Sequence, residues 1–255
     1  IEYDGQTLVY LINITPVAPC GGTPNAGDAI SSTTITCQYS PFTVDLTGND
    51  IASNMTYQWQ SSPDNTNWTN MGGLQSFVPY SVGTQSVVMY YRCITTCTST
   101  ALSATSTPIM VSQNSFLNCY CTPSGIDCSQ GDEINNVIFA TISNTSTCNS
   151  NFTGYDDYTT SVPSATIHAL QTYTMEVTLG YDSYEHISVW IDFDHSGTFD
   201  ASEYTFLGNS VGSGTYTING SVDIPANAML GDTRMRVRNL SNNALNADEA
   251  CLVPT

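Results

Sequence analysis

The chain has no lysine. Its four cations are arginines, at positions 92, 234, 236 and 238, against 22 aspartates and glutamates. A formal net charge of −18 excludes nucleic acid as a partner, because phosphate contacts are made by Lys and Arg. It also excludes attraction to anionic membrane surfaces. No run approaches the roughly 18 apolar residues that membrane insertion as a helix needs. Helical periodicity is nearly absent. The three histidines, His168, His186 and His195, lie in no nucleophile motif, and no Gly-x-Ser-x-Gly pattern occurs. Asp156 and Asp157 are adjacent. On a strand they face opposite sides, so they do not form one acid–base pair without a bulge. These absences argue that the protein is not an enzyme. No leader is recognisable before Ile1, which reads as the start of a mature protein or a fragment.

What is present is β structure. Short runs of Val, Ile, Thr, Tyr and Phe alternate with Gly, Asn, Asp and Pro clusters, which predicts an all-β chain of sandwich domains. Its 255 residues are enough for two. The acids are uneven, six before residue 119 and sixteen after it, so the second half carries the electrostatics. Nine cysteines point to disulfides and an oxidising compartment, hence an extracellular or cell-surface location. Zinc is a poorer reading, because Cys93/Cys97 and Cys119/Cys121 have the wrong ligand spacing.

Residues 19–113 predict an immunoglobulin-type sandwich. Cys37, then Trp59, then Tyr91-x-Cys93 follow the order of an inter-sheet disulfide packed on a tryptophan, with Tyr91 placed for a tyrosine corner. Cys37–Cys93 is therefore the expected bridge, with Cys20 and Cys97 left to pair. In the second half Cys128 and Cys148 flank a strand and are expected to pair. Cys121 with Cys251 is the next pairing, leaving Cys119 over. Trp59 reads as core. Trp68 reads as half exposed, either ordinary surface or a sugar-stacking residue. Arg234, Arg236 and Arg238 alternate along Thr233–Asn239, a predicted strand, and so share one face. They either balance the local carboxylates or form a carboxylate- or polysaccharide-binding ladder.

The most informative stretch is 190–203, Trp-Ile-Asp-Phe-Asp-His-Ser-Gly-Thr-Phe-Asp-Ala-Ser-Glu. Asp192, Asp194, Ser196, Thr198, Asp200 and Glu203 fall at positions 1, 3, 5, 7, 9 and 12 of a twelve-residue loop, with Gly197 at position 6. This spacing suits a calcium ion, which takes six to eight oxygens at about 2.3–2.6 Å. The flanks, His186–Ile191 and Tyr204–Leu207, are β-branched and aromatic, so the loop belongs to a β-hairpin rather than an EF-hand. The alternative is a metal-free acidic turn closed by Asx-type hydrogen bonds.

Two families resemble these halves. Cys20-Gly-Gly-Thr-Pro-Asn-Ala-Gly27, Tyr57-Gln-Trp-Gln-Ser-Ser62 and Tyr90-Tyr-Arg-Cys-Ile-Thr-Thr-Cys97 resemble Ig-like repeats of large secreted Bacteroidota proteins. Tyr120-Cys-Thr-Pro-Ser124, Gly131-Asp-Glu-Ile-Asn-Asn136, Gly154-Tyr-Asp-Asp-Tyr-Thr159, Val189-Trp-Ile-Asp-Phe-Asp194 and Arg234-Met-Arg-Val-Arg238 resemble the GEVED-domain family. The resemblance implies a jelly-roll-like second sandwich over 114–255. It also implies non-catalytic roles in adhesins, filaments and protease C-terminal regions, often with type IX secretion, and makes Asp192, Asp194 and Glu203 the loop acids that matter. The family's closing Gly-Glu-Val-Glu-Asp-Tyr strand does not occur before Thr255, yet Gly5-Gln-Thr-Leu-Val-Tyr10 is similar to a degraded form of it. Residues 1–18 are thus expected to be a strand that completes the second domain of a neighbour. The expected function is a structural repeat or subunit of an extracellular filament or giant adhesin. Copies of the chain would join head to tail, and disulfides and calcium would stabilise each one. The alternative is an accessory module binding a glycan or a host surface protein, with Trp68, Tyr155, Tyr158 and the arginine row as contacts.

Overall fold

The computed structural model describes residues 8–149, 151–212 and 214–251. The chain divides into two compact units, Ile1–Gln113 and Asn114–Thr255. Both are all-β, and the described helices are two single 3₁₀ turns.

The described residues of the first unit form nine strands: β1 (Asp28–Ser31), β2 (Ile35–Thr36), β3 (Phe42–Thr47), β4 (Met55–Ser62), β5 (Thr69–Asn70), β6 (Tyr80–Val82), β7 (Met89–Cys97), β8 (Leu102–Thr105) and β9 (Ile109–Gln113). One sheet runs β1-β3-β6. The other runs β2-β9-β7-β4-β5, with β8 also on β7. Side chains of period two fill the space between the sheets. Phe42, Val44 and Leu46 come from β3, Met55, Tyr57 and Trp59 from β4, and Tyr91, Cys93 and Cys97 from β7. Trp59 has no exposed surface.

The expected Cys37–Cys93 bridge does not form. Cys93 is the free cysteine among the described residues, and Cys37 is disulfide-bonded elsewhere. The reason is topological. Cys37 follows β2, which joins the same sheet as β7 with β9 between them. Two strand spacings are about 10 Å, beyond the roughly 4.4–6.8 Å that a disulfide spans between Cα atoms. Cys93 instead lies opposite Trp59 in the β4–β7 register. Tyr91 departs too. Its hydroxyl donates to Gln85 Oε1 at 2.8 Å rather than to a backbone carbonyl. Gln85 Nε2 then donates to the Val111 carbonyl at 3.0 Å, tying the segment before β7 to β9.

The other three expected pairs form: Cys20–Cys97, Cys121–Cys251 and Cys128–Cys148. Cys119 is not left over, because it too is disulfide-bonded.

The second unit contains β10 (Ile134–Phe139), β11 (Ile142–Thr145), β12 (Thr172–Leu179), β13 (Glu185–Ile191), β14 (Tyr204–Asn209), β15 (Thr217–Asp223) and β16 (Met235–Ser241). Sheet β11-β10-β12-β15 faces sheet β14-β13-β16 across a core of Phe139, Met175, Val177, Leu179, Ile187, Val189 and Ile191. β13 is the centre of its sheet and is buried on both faces, with six of its seven residues buried. Its outward-facing Trp190 is covered by a second small core with Phe199, Leu245 and Ala250. Trp190 Nε1 donates to the Ala247 carbonyl at 2.8 Å, and Tyr204 Oη to the Leu245 carbonyl at 2.8 Å.

Of the candidate N-terminal strand over 1–18, residues 1–7 lie outside the described residues. The rest, Leu8 to Ala18, carries no strand, and the first bridge is Pro19 with Ser53. Among the described residues no helix is long and apolar enough to cross a membrane.

Burial pushes the Cys93 thiol up to about 12, so it is protonated and inert in the folded state. A thiol-reactive chromogen is expected to find no cysteine in the native protein and one per chain in denaturant. Reaction in the native state would contradict the burial of Cys93.

Candidate metal centre

β13 and β14 pair antiparallel, and residues 192–203 connect them as the hairpin loop. The loop begins on a buried carboxyl group. Asp192 has no exposed surface. Its Oδ1 accepts from Ser196 N at 3.1 Å, and its Oδ2 accepts from Gly197 N at 2.9 Å and Tyr120 Oη at 2.5 Å. Thr233 Oγ1 donates to the Asp192 carbonyl. Asp194 Oδ1 shares the Ser196 N–H at 3.0 Å. These are the Asx-type bonds of an acidic turn.

Gly197 answers two demands. Its φ is +76°, and an added Cβ would lie 2.8 Å from Cys119 Cβ and 3.0 Å from the Phe116 carbonyl oxygen. His195, also at positive φ, stacks on Phe116 with ring centroids 4.4 Å apart. The 3₁₀ turn Phe116–Asn118 therefore seats directly on the loop.

Three of the six sequence candidates converge. One oxygen from each of Asp192, Asp194 and Glu203 lies within 4.8 Å of the others. That separation is the diameter of a coordination sphere of about 2.4 Å radius, so all three fit one calcium-sized ion. Glu203 is buried. Its Oε1 accepts from Phe193 N at 2.8 Å and its Oε2 from Asp200 N at 3.0 Å. The other three candidates are engaged otherwise. Ser196 Oγ and Thr198 Oγ1 bond each other at 2.9 Å. The Asp200 side chain accepts from the Glu203 backbone N–H, closing a capping box on the turn Ala201–Glu203. An all-oxygen donor set suits a hard cation, and Asp194 Oδ2 and one lone pair on each Glu203 oxygen remain open to it.

Without a counter-charge the cluster is strained electrostatically. Burial, then the charges of Asp192 and Asp194, push Glu203 up to about 7 despite its two backbone donors. Burial raises Tyr120 as well, and its bond to Asp192 adds to the shift.

The arginine row is neither free charge balance nor an open ladder. Arg236 and Arg238 are each 7% exposed. Arg236 donates to the carbonyls of Ala250 at 2.7 Å and Cys121 at 2.5 Å, and lies over the Phe199 ring at 4.8 Å. Arg238 donates to the Glu249 carbonyl. Both bind the segment after β16 to the outer face of the sheet. Arg234 reaches Asp157 at 3.9 Å and stacks on Tyr120 at 4.8 Å. Asp157 itself closes a turn by accepting from Thr159 N at 2.9 Å. The sequence reading missed Tyr120 and Thr233 as supports of Asp192; no local spacing ties them to the loop. Trp68 is half-buried, with Arg92 over its ring at 4.1 Å.

Comparison with known proteins places this hairpin. Residues 186–253 match the GEVED domain family. The match runs from His186 in β13 through the acidic loop and the arginine row. Residues 25–115, the first sandwich, match a domain of unknown function, DUF8696. No curated protein matches the sequence. Among solved structures, the chain is similar to one determined to explain the promiscuous specificity of carbohydrate-binding modules from the β-sandwich superfamily. That likeness has 9% identity and a TM-score of 0.28, covering 86% of this chain and 96% of that one. A superposition that loose carries no ligand across.

Two outcomes follow. Glu203 binds its proton more tightly folded than unfolded, so its stabilising contribution is complete below about pH 4.5 and lost as pH rises through about 7. In chelator the thermal midpoint of the second unit is expected to fall between pH 5 and 8, and saturating calcium is expected to flatten that slope. Arg236→Ala strands buried carbonyls and is expected to cost about 3 kcal/mol in urea unfolding. Arg234→Ala, at a partly exposed pair, is expected to cost about 1 kcal/mol or less.

Proposed function

We infer that the chain is a non-catalytic structural module of an extracellular filament or giant cell-surface adhesin, in which copies join head to tail by strand addition and calcium stiffens the second unit. The disulfides fit an extracellular module. The GEVED match at 186–253 fits a part without catalysis.

The observation that carries the head-to-tail reading is the segment before Pro19. Val9 is 90% exposed, Leu11 102% and Ile14 86%, and Leu8, Tyr10 and Ile12 are exposed as well. Contiguous apolar surface of this kind marks an interaction site. As a strand it would place Tyr10, Ile12 and Ile14 on one face. The acceptor we assign is β16 of another copy. β16 is an edge strand whose one neighbour among the described strands is β13. Strand addition satisfies an open edge with backbone hydrogen bonds and seats alternate side chains. A donor segment in the first unit and an acceptor edge in the second make a heterologous contact between copies, the kind that propagates as a fibre when it does not close into a ring. The same contact serves separate subunits or tandem repeats. A glycan- or protein-binding role has less support, because Arg92 covers one face of Trp68 and two members of the arginine row are buried.

Sedimentation of the full chain tests this. Concentration-dependent assembly is expected, and the double variant Ile12→Lys/Ile14→Lys should remain monomeric with an unchanged unfolding midpoint. A wild-type chain that stays monomeric at high concentration contradicts the reading, as does a variant that assembles equally well.

A further inference from the structure

A second group of carboxylates lies at the other end of β13. Glu185 is the first residue of that strand and has no exposed surface. Its Oε2 accepts from Asn239 Nδ2 at 2.8 Å, while its Oε1 is buried with no hydrogen-bond partner. Asp132, two residues before β10, likewise has a buried Oδ1 with no partner. The Asn239 amide also donates to the Asp132 carbonyl at 2.6 Å, so one side chain of β16 fixes both acids. Asp182, in the turn between β12 and β13, donates its N–H to the Gly131 carbonyl at 3.2 Å, and its Oδ2 accepts from Ser241 Oγ at 3.4 Å. One oxygen from each of Asp132, Asp182 and Glu185 lies within 4.8 Å of the others.

The geometry points to a second site for a divalent cation of the calcium class, held by Asp132, Asp182 and Glu185 and distinct from the hairpin loop. Glu185 opens β13 and Asp192 directly follows its last residue, a span of seven residues or about 23 Å at 3.3 Å per residue, so one ion cannot serve both groups. The orphaned Glu185 oxygen is the decisive feature. A buried carboxylate oxygen needs a donor or a cation, and what faces it here is more carboxylate. A proton shared by Glu185 and Asp132 would satisfy two of the acids and leave the third charge beside them. A hard dication satisfies all three with oxygen ligands. Bound there, it would join the start of β10, the β12–β13 turn, β13 and, through Asn239, β16. Each end of the central strand would then be pinned by its own ion.

Calcium titration of the chelator-treated full chain, read as ions bound by native mass spectrometry and by calorimetry, tests the site. The wild type is expected to take two ions. Glu185→Gln and Asp182→Asn should each leave one, and Asp194→Asn, which acts only on the hairpin loop, should also leave one. If Glu185→Gln loses its circular-dichroism signature, Asp182→Asn carries the test, because Asp182 is partly exposed and its loss opens no core. Wild-type stoichiometry in a folded Glu185→Gln or Asp182→Asn variant overturns the second site in favour of a shared proton, as does a wild type that binds only one ion, lost in Asp194→Asn. A single ion lost in Glu185→Gln and kept in Asp194→Asn upholds this site and refutes the hairpin one.

Discussion

Asp192 places a carboxyl group where water does not reach, and three donors arrive at its two oxygens from different parts of the chain. Two are backbone N–H groups of its own loop, which fold the hairpin back on itself. The third is Tyr120, 72 residues away in sequence. The remainder of the loop follows from satisfying this one carboxylate. Gly197 must sit at positive φ to present its N–H, and the same turn brings it against Phe116 and Cys119 with no room for a side chain. Glu203 then closes the loop from the other side by accepting from Phe193 and Asp200. The result is a small volume holding three carboxylates, which only a cation or a proton relieves.

The same shortage of positive charge shapes the outer face of β13. A chain with four arginines and no lysine has few cations to place, and two of them are buried against the carbonyls of Glu249, Ala250 and Cys121. Among the described residues the segment after β16 forms no ladder with the sheet, and arginine donors satisfy the carbonyls of Glu249 and Ala250 instead. Trp190 and Tyr204 act likewise on Ala247 and Leu245. Together with the Cys121–Cys251 disulfide they seal the second small core.

Much of this was legible in the sequence, and its gaps have physical causes. The β-hairpin around 192–203 was legible because both ligand spacing and strand periodicity are local. The roles of Asp200, Ser196 and Thr198 were not, because one set of positions serves equally for wrapping an ion and for capping a turn. The row at 234, 236 and 238 was placed correctly on one face, but alternation does not say whether that face meets water. Cys37–Cys93 failed for a related reason: order along the chain does not reveal which sheet β2 joins. The group at Asp132, Asp182 and Glu185 spans 53 residues, and only the packing of the sheet that holds β10 and β12 against the sheet that holds β13 assembles it.

The claim at the centre of this account is that buried carboxylates at the ends of β13 hold the second unit together only when a cation neutralises them. Differential scanning calorimetry of the chelator-treated chain at pH 7.5, with and without millimolar calcium, tests it most directly. The account predicts a transition assigned to the second unit that rises by many degrees with calcium, while that of the first unit, which has no such acidic group among its described residues, stays in place. Coincident traces in calcium and chelator would contradict it.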